Sequence, residues 1–89
     1  MHEGSLIADL MRKVAAIAQM EGARTVIGVK VRVGALCHLS AAHLREHFLQ
    51  AACGTVAAGA RLDIEVVTDV ADPHAQEIVL ESVEVSVDL

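Results

Sequence analysis

The first three residues of the chain, Met1-His2-Glu3, carry donor groups that could bind a metal ion. A free α-amine, a backbone amide and the imidazole of His2 can close adjacent chelate rings on one ion. The amide or carboxylate of Glu3 lies within reach of the same ion. Amine and imidazole nitrogens suit borderline divalent metals such as nickel, copper and zinc. We therefore take Met1, His2 and Glu3 as candidate metal ligands.

A second pair of candidate ligands, His43 and His47, lies four residues apart in a predicted helix. This spacing places both imidazoles on one helix face, where such a pair can hold a metal ion. The more ordinary interpretation is two surface histidines flanking Arg45 and Glu46. Both interpretations are kept, with the amino-terminal motif as the primary site.

The cysteines do not indicate a zinc site or a disulfide framework. Cys37 and Cys53 form no CxxC pair, and a structural zinc site needs about four Cys or His ligands. Cys37 and His38 together offer soft and borderline ligands, but a small buried Cys beside a solvated His is the favoured interpretation. We expect no structural zinc.

Several functional classes are disfavoured by the sequence. It has no Gly-rich phosphate loop and no nucleophile with an evident base, so an enzyme is not expected. A net charge of −5, with no Lys/Arg cluster, argues against nucleic-acid binding. No apolar run approaches the ~18 residues of a membrane span, and no basic leader opens the chain. The expectation is a soluble, cytoplasmic protein.

The chain of 89 residues predicts a single domain over residues 1–89. It is 54% hydrophobic, yet Phe48 is its one aromatic residue, so the core must consist of Val, Leu, Ile and Ala. This apolar content and the free edges of a small sheet predict a homodimer or a higher homo-oligomer.

Two amphipathic helices are predicted. Ser5 can cap a helix beginning near Leu6 and ended by Gly22. Ser40 can cap a second helix running to about Cys53. The inward positions are Leu6, Leu10, Val14 and Ile17 in the first helix, and Leu44, Phe48 and Ala51 or Ala52 in the second.

Three strands are predicted from alternating apolar residues. They cover Thr25–Val33, Leu62–Val66 and Val79–Val87, with a polar loop at residues 68–76. The inward residues are Ile27, Val29, Val31 and Val33, then Leu62, Ile64 and Val66, then Val79, Val83, Val85 and Val87. The order helix-strand-helix-strand-strand predicts an α+β two-layer fold, a three-stranded mixed sheet covered on one face by two helices. The last two strands are expected to form an antiparallel hairpin.

Four motifs follow one another along the chain: Met-His-Glu-x-Ser-Leu, then Val-Gly-Ala-Leu, then Gly-Thr-x-x-x-Gly-Ala-x-Leu-x-Ile-Glu after a helix with a Phe, and finally Leu-x-Ser-Val-Glu-Val. Together they resemble the HypA/HybF family of accessory proteins that deliver nickel during hydrogenase maturation. The matching residues are Met1, His2, Glu3, Ser5, Leu6, Val33, Gly34, Ala35, Leu36, Phe48, Gly54, Thr55, Gly59, Ala60, Leu62, Ile64, Glu65, Leu80, Ser82, Val83, Glu84 and Val85.

The resemblance implies a nickel metallochaperone. It would hold Ni(II) transiently at Met1, His2 and Glu3 and pass it to a hydrogenase large-subunit precursor, with a HypB-type GTPase as partner. The family normally inserts a zinc domain, built on two CxxC pairs, between its last two strands. This chain has only the loop 68–76 there, so the zinc domain is predicted to be absent. Gly4 also replaces a larger apolar residue of the family pattern.

An alternative function follows from that departure. Loss of the zinc domain could mark a HypA-like interaction module, which binds a hydrogenase subunit or a maturation partner and no longer delivers metal.

Overall fold

A computed structural model describes residues 3–87 of the chain, and Met1 and His2 lie outside the described residues. The element order is the predicted one. The elements are α1 (Glu3–Met20), β1 (Thr25–Val33), α2 (Ala41–Ala52), β2 (Arg61–Val66) and β3 (Ile78–Ser86). The predicted α+β class, with a mixed three-stranded sheet and two helices, is confirmed.

The predicted hairpin between the last two strands is wrong. The strand order is β2-β1-β3, with β1 parallel to β2 and antiparallel to β3. After β2 the chain crosses the end of the sheet, and β3 pairs along the opposite edge of β1. This arrangement gives the most buried strand, β1, a hydrogen-bonded neighbour on each side.

The core lies between the sheet and the helices, as the apolar spacing predicts. Leu44 and Phe48 of α2 are fully buried, as is Val14 of α1. On the sheet, Val29 and Val31 of β1 form the centre of the buried face. Helix α1 packs over β1 and β3, and α2 packs beside α1 and over β2.

Two bulges explain why some strand residues face the opposite way from the prediction. The pairing of β1 with β3 shifts between Val26 and Gly28, so Val26 is buried and Ile27 is 41% exposed. A second shift at Lys30 and Val31 places Val79 opposite Arg32 on the outer face. A bulge adds one residue and reverses the alternation beyond it. Two other residues predicted to face inward, Val66 and Val87, are exposed near strand ends.

The helix boundaries agree with most of the predicted signals. Ser40 caps α2, its hydroxyl accepting from the amide of His43. Helix α1 ends with Gly22 at a φ of 63°, where the Ala23 amide donates to the Ala18 carbonyl. The predicted cap at Ser5 is wrong, because Ser5 lies inside α1, which already includes Glu3 and Gly4.

Residues 67–77, between β2 and β3, form a loop fastened to the end of β1. The Val67 amide donates to the Val33 carbonyl at 2.9 Å. The Gly34 amide donates to the Glu77 carbonyl at 2.9 Å, and the Leu36 amide to the Ala75 carbonyl at 2.7 Å. Three backbone hydrogen bonds thus hold the loop 67–77 against the end of β1.

Candidate functional site

One end of the domain collects the residues of interest. Both helices run opposite to β1, because each is joined to it by a short connection. The starts of α1 and α2, the carboxyl ends of β1 and β2, and the loop 67–77 therefore lie at the same end, here named the loop end. Glu3 is the first described residue of α1, and Met1 and His2 precede it in the sequence. The Met1-His2-Glu3 motif is therefore joined to the chain at the loop end.

The described surface around the start of α1 is open. Gly4 and Ser5 are exposed in its first turn. Within residues 3–87, apart from Gly4, its chain neighbours and the backbone of its own helix turn, no atom lies within 4 Å of the position that a β-carbon on Gly4 would take. The predicted ligands Met1 and His2, and the side chain of Glu3, lie outside the described residues. The structure therefore describes the surface next to the primary site.

A groove of about 800 Å³ runs beside this first turn. Leu6 of α1, Leu36 after β1 and Ile78 of β3 supply apolar walls, and the loop 67–77 forms its far side. These residues are far apart in sequence, and none belongs to a local pattern that would predict a groove. Sequence reasoning therefore missed it.

Two of the three carboxylates lining the groove, those of Asp9 and Glu77, have basic side chains beside them. Asp9 accepts from Lys13 at 2.9 Å and also pairs with Arg12. The ammonium of Lys13, followed by the guanidinium of Arg12, lowers the pKa of the Asp9 carboxyl below 3.8. Glu77 lies 2.5 Å from Nδ1 of His74. The pairs of Asp9 with Lys13 and Arg12 are exposed local ion pairs, which are worth little in stability.

His43 and His47 are neighbours on α2, as their spacing predicts. Their ring centroids are 6.4 Å apart and the rings are nearly perpendicular, at 76°. His43 is exposed and His47 is half-buried. With Glu46 between them they form His-x-x-Glu-His, a spacing that some zinc peptidases use for two ligands and a base.

A peptidase site also needs further protein ligands. Among the residues that the structure describes, no group of three or more His, Cys, Asp or Glu side chains could hold a metal ion. The His43–His47 spacing therefore does not support a peptidase assignment.

The Cys37-His38 pair follows the favoured interpretation. Cys37 is half-buried and packs against the core, and its amide donates to the Gly34 carbonyl at 3.1 Å. His38 is exposed. Cys37 thus fills space beside the end of β1.

The outer face of the sheet carries ion pairs that the sequence pattern alone did not show. Arg61 of β2 reaches across Gly28 of β1 to Glu84 of β3, at 3.3 Å, and also binds Asp63 at 2.9 Å. These two carboxylates raise the pKa of the Arg61 guanidinium, Asp63 contributing most.

Within residues 3–87, no helix is long and apolar enough to cross a bilayer.

The comparisons with known proteins agree on one family. A family model described as hydrogenase/urease nickel incorporation, metallochaperone, HypA, matches residues 1–85. The hydrogenase maturation factor HypA of Archaeoglobus fulgidus is 41% identical over 66 residues, covering 74% of this chain and 60% of that protein. The same factor from Chlorobium limicola is 41% identical over 71 residues, covering 80% and 61%.

A solved structure shows the same fold. It is the solution structure of the nickel metallochaperone HypA from Helicobacter pylori, with a TM-score of 0.80 and 18% sequence identity. The alignment covers 99% of this chain and 100% of that one. The chain spans about three fifths of the length of the two curated relatives. From the family match over residues 1–85 and the identity to both relatives, we conclude that this chain belongs to the HypA family.

Proposed function

We propose that this chain is a nickel-binding accessory protein that holds Ni(II) transiently and passes it to a client enzyme. Its ligands are the Met1 amine, the His2 imidazole and amide, and a donor from Glu3. The observation that carries the proposal is the family match, which begins at residue 1 and so includes this motif. Nickel is here a cargo and not a resident cofactor.

The surroundings of the motif suit a delivery site. Transfer between proteins requires that incoming ligands reach the ion while the outgoing ligands still hold it. Gly4 and Ser5 in the first turn of α1 are small and exposed, and the groove beside Leu6 is open. An ion bound there is approachable by a second set of ligands.

The client and the partners follow from the family. We propose that the nickel acceptor is the large-subunit precursor of a nickel–iron hydrogenase and that a HypB-type GTPase assists the transfer. Both curated relatives are named hydrogenase maturation factors. A cytoplasmic location and a homo-oligomeric state complete the proposal.

A second function is favoured by one structural observation. The loop 67–77 stands where the family pattern has a zinc domain, and backbone hydrogen bonds fasten it to the end of β1. A HypA-like domain without that module could bind a hydrogenase subunit or a maturation partner without delivering metal. In that case the groove at the loop end would be a docking surface only.

Nickel titration of the untagged protein distinguishes the two functions. For metal delivery, we expect one tightly bound Ni(II) per chain, which His2→Ala or extra residues ahead of Met1 should remove. His38→Ala is the matched control, because His38 is also an exposed histidine outside the motif. If the wild-type protein binds no stoichiometric nickel, or if His2→Ala binds it as tightly, delivery through this motif is refuted.

A further inference from the structure

We propose that β3 pairs with β3 of a second copy of this chain, around a two-fold axis at Glu84. Residues 82–86 read Ser-Val-Glu-Val-Ser, a palindrome of residue types centred on Glu84. Antiparallel pairing about this centre places each side chain opposite one of the same type. The inference rests on the homo-oligomeric part of the proposed function, names its interface, and does not depend on nickel.

The outer edge of β3 presents backbone groups in the right places. The Ser86 carbonyl accepts from the Arg24 amide at 3.0 Å, so the backbone of Ser86 faces β1. Strand backbones alternate, so Glu84 also faces β1, and Val83 and Val85 direct their amide and carbonyl groups outward. Among the described residues, β3 pairs only with β1. With the axis at Glu84, Val83 lies opposite Val85 of the second copy, and the two exchange both hydrogen bonds.

The other edge strand, β2, is less open to pairing. The amide of Val67, directly after β2, donates to the Val33 carbonyl, so the odd-numbered residues of β2 face β1 and Leu62 faces outward. The Leu62 carbonyl already accepts from the guanidinium of Arg45 at 2.8 Å. Strand β2 is also shorter than β3, six residues against nine. Helix α2 thus occupies part of the β2 edge, which leaves β3 as the edge for a second copy.

The side chains on both faces of this segment suit an identical partner. Val83 and Val85 pack against the core but are only half-buried, and each meets a valine of the second copy. Ser82 and Ser86 are exposed on the outer face, where each meets a hydroxyl of the second copy. The bulge of β3 directly before Ser82 ends the regular segment, which fixes its centre at Glu84.

The charge of Glu84 needs a neighbour that balances it. Two Glu84 side chains meet across the axis, and like charges directly opposite each other are destabilising. Arg61 reaches across Gly28 to Glu84 at 3.3 Å. A β-carbon at Gly28 would lie 2.6 Å from Nη2 of Arg61, so the glycine leaves room for this crossing.

The neighbouring charges on the outer face are balanced as well. Arg61 is shared with Asp63 at 2.9 Å, and Asp63 lies opposite Lys30 of β1. Each copy therefore brings two acidic and two basic side chains to this part of the interface. Arg61 is the residue that makes the Glu84 centre compatible with a two-fold axis.

The antiparallel arrangement keeps the two loop ends apart. Strand β3 begins at Ile78, beside the loop 67–77. The axis at Glu84 lies about 20 Å further along the strand, at about 3.4 Å per residue, so the loop ends are about 40 Å apart. Each nickel motif therefore remains open to its own acceptor.

Sedimentation of untagged variants tests the interface. We expect wild-type dimers at micromolar concentration, since so short a pairing buries little surface. Arg61→Gln should weaken dimerisation by about tenfold or more, because the two Glu84 carboxylates are then unbalanced. Adding Glu84→Gln should restore dimerisation, which a general loss of structure would not allow. Arg32→Gln is the matched control, because Arg32 pairs with Glu81 of β3, outside the palindrome, and should not change dimerisation.

Cross-linking locates the axis. Opposite residues of a non-hydrogen-bonded antiparallel pair have Cα atoms about 4.5 Å apart, within the range of a disulfide bond. The background for this test is Cys53→Ser, which removes an exposed native thiol. Oxidised glutathione should link Glu84→Cys chains into covalent dimers faster than Glu81→Cys chains.

The possible failures are distinguishable. Monomer alone at these concentrations would overturn the interface and the homo-oligomeric state together. Dimers that Arg61→Gln leaves unchanged, or equal cross-linking at the two positions, would overturn the interface alone. His2→Ala should keep the dimer, so a failure of nickel delivery would leave the interface standing.

Discussion

A β-carbon on Gly34 would lie 2.2 Å from the carbonyl oxygen of Ala75. The backbone of the loop 67–77 passes directly against the end of β1, and the Leu36 amide donates to that same carbonyl at 2.7 Å. Gly34 is therefore required by a close approach between two backbone segments. The contact joins the end of β1 to the loop that lines the groove.

Gly34→Ala should destabilise the protein by about 1–3 kcal/mol, because the clash is with backbone atoms that cannot rotate away. Chemical denaturation measures the change in the free energy of unfolding. Gly28→Ala, within β1, is the matched control. A β-carbon there meets Nη2 of Arg61 at 2.6 Å, the far end of a flexible side chain.

The control should change stability by no more than about 1 kcal/mol, since the Arg61 guanidinium can move aside and Ala is favoured over Gly in a strand. Equal losses for the two variants would contradict the distinction between a backbone contact and a side-chain contact.

Nickel affinity at the amino-terminal motif should fall with pH. A typical α-amine titrates near ~7.7–8 and a typical His near ~6.5, so protons compete with the metal for the Met1 amine and the His2 imidazole. Titrations at about pH 8 and about pH 6 should show affinity at least about tenfold lower at the lower pH. An affinity independent of pH over this range would exclude the amine and imidazole as ligands.

Folding should not depend on zinc. The loop 67–77 is closed by backbone hydrogen bonds, including that from the Gly34 amide to the Glu77 carbonyl at 2.9 Å. We expect a chelator to leave the thermal unfolding transition unchanged. Metal analysis of the purified protein tests the same point: a tightly held, stoichiometric zinc whose removal unfolds the protein would refute the prediction.

The protein should self-associate. In the sheet β2-β1-β3, the edge strands β2 and β3 pair only with β1 among the described residues. Such edges, together with the exposed Val66 at the end of β2, favour pairing with a second copy. Sedimentation at micromolar concentration should show a dimer or larger species. Monomer alone at these concentrations would count against the prediction.

Asp9 should make a small, pH-dependent contribution to stability. The ion pair with Lys13, and then that with Arg12, lowers the pKa of the carboxyl below 3.8, so folding favours the ionised form. The contribution is therefore present above about pH 4 and is lost as the pH falls through the lowered pKa. Urea denaturation at about pH 7 and about pH 3 should show a smaller pH-dependent loss in Asp9→Asn than in the wild type. Equal losses would contradict it.

The sequence predicted the elements of this fold better than their pairing. Alternation identified β1 to its observed limits, Thr25–Val33, because one face is buried along most of the strand. Apolar spacing does not specify which strands are neighbours, so the position of β3 beside β1 was missed. The exposure of Ile27 was also missed, because a bulge leaves no distinct pattern in a Val- and Ile-rich strand.

In the candidate site, too, local motifs were predictable from the sequence, and contacts between distant segments were not. Local motifs gave Met1, His2 and Glu3 as candidate ligands, and the helical spacing of His43 and His47 correctly placed their rings side by side. The groove could not be found in this way, since it forms where α1, the end of β1 and the loop meet.

The route of the chain from β2 to β3 makes this connection a permissive place for insertion and deletion. Residues 67–77, most of them exposed, pass over the end of the sheet and join strands on opposite edges. Closure entropy grows slowly with loop length, by about 0.6 kcal/mol per doubling, so a fourfold longer connection would cost about 1.2 kcal/mol. A whole module could therefore be gained or lost here while β1 keeps both neighbours.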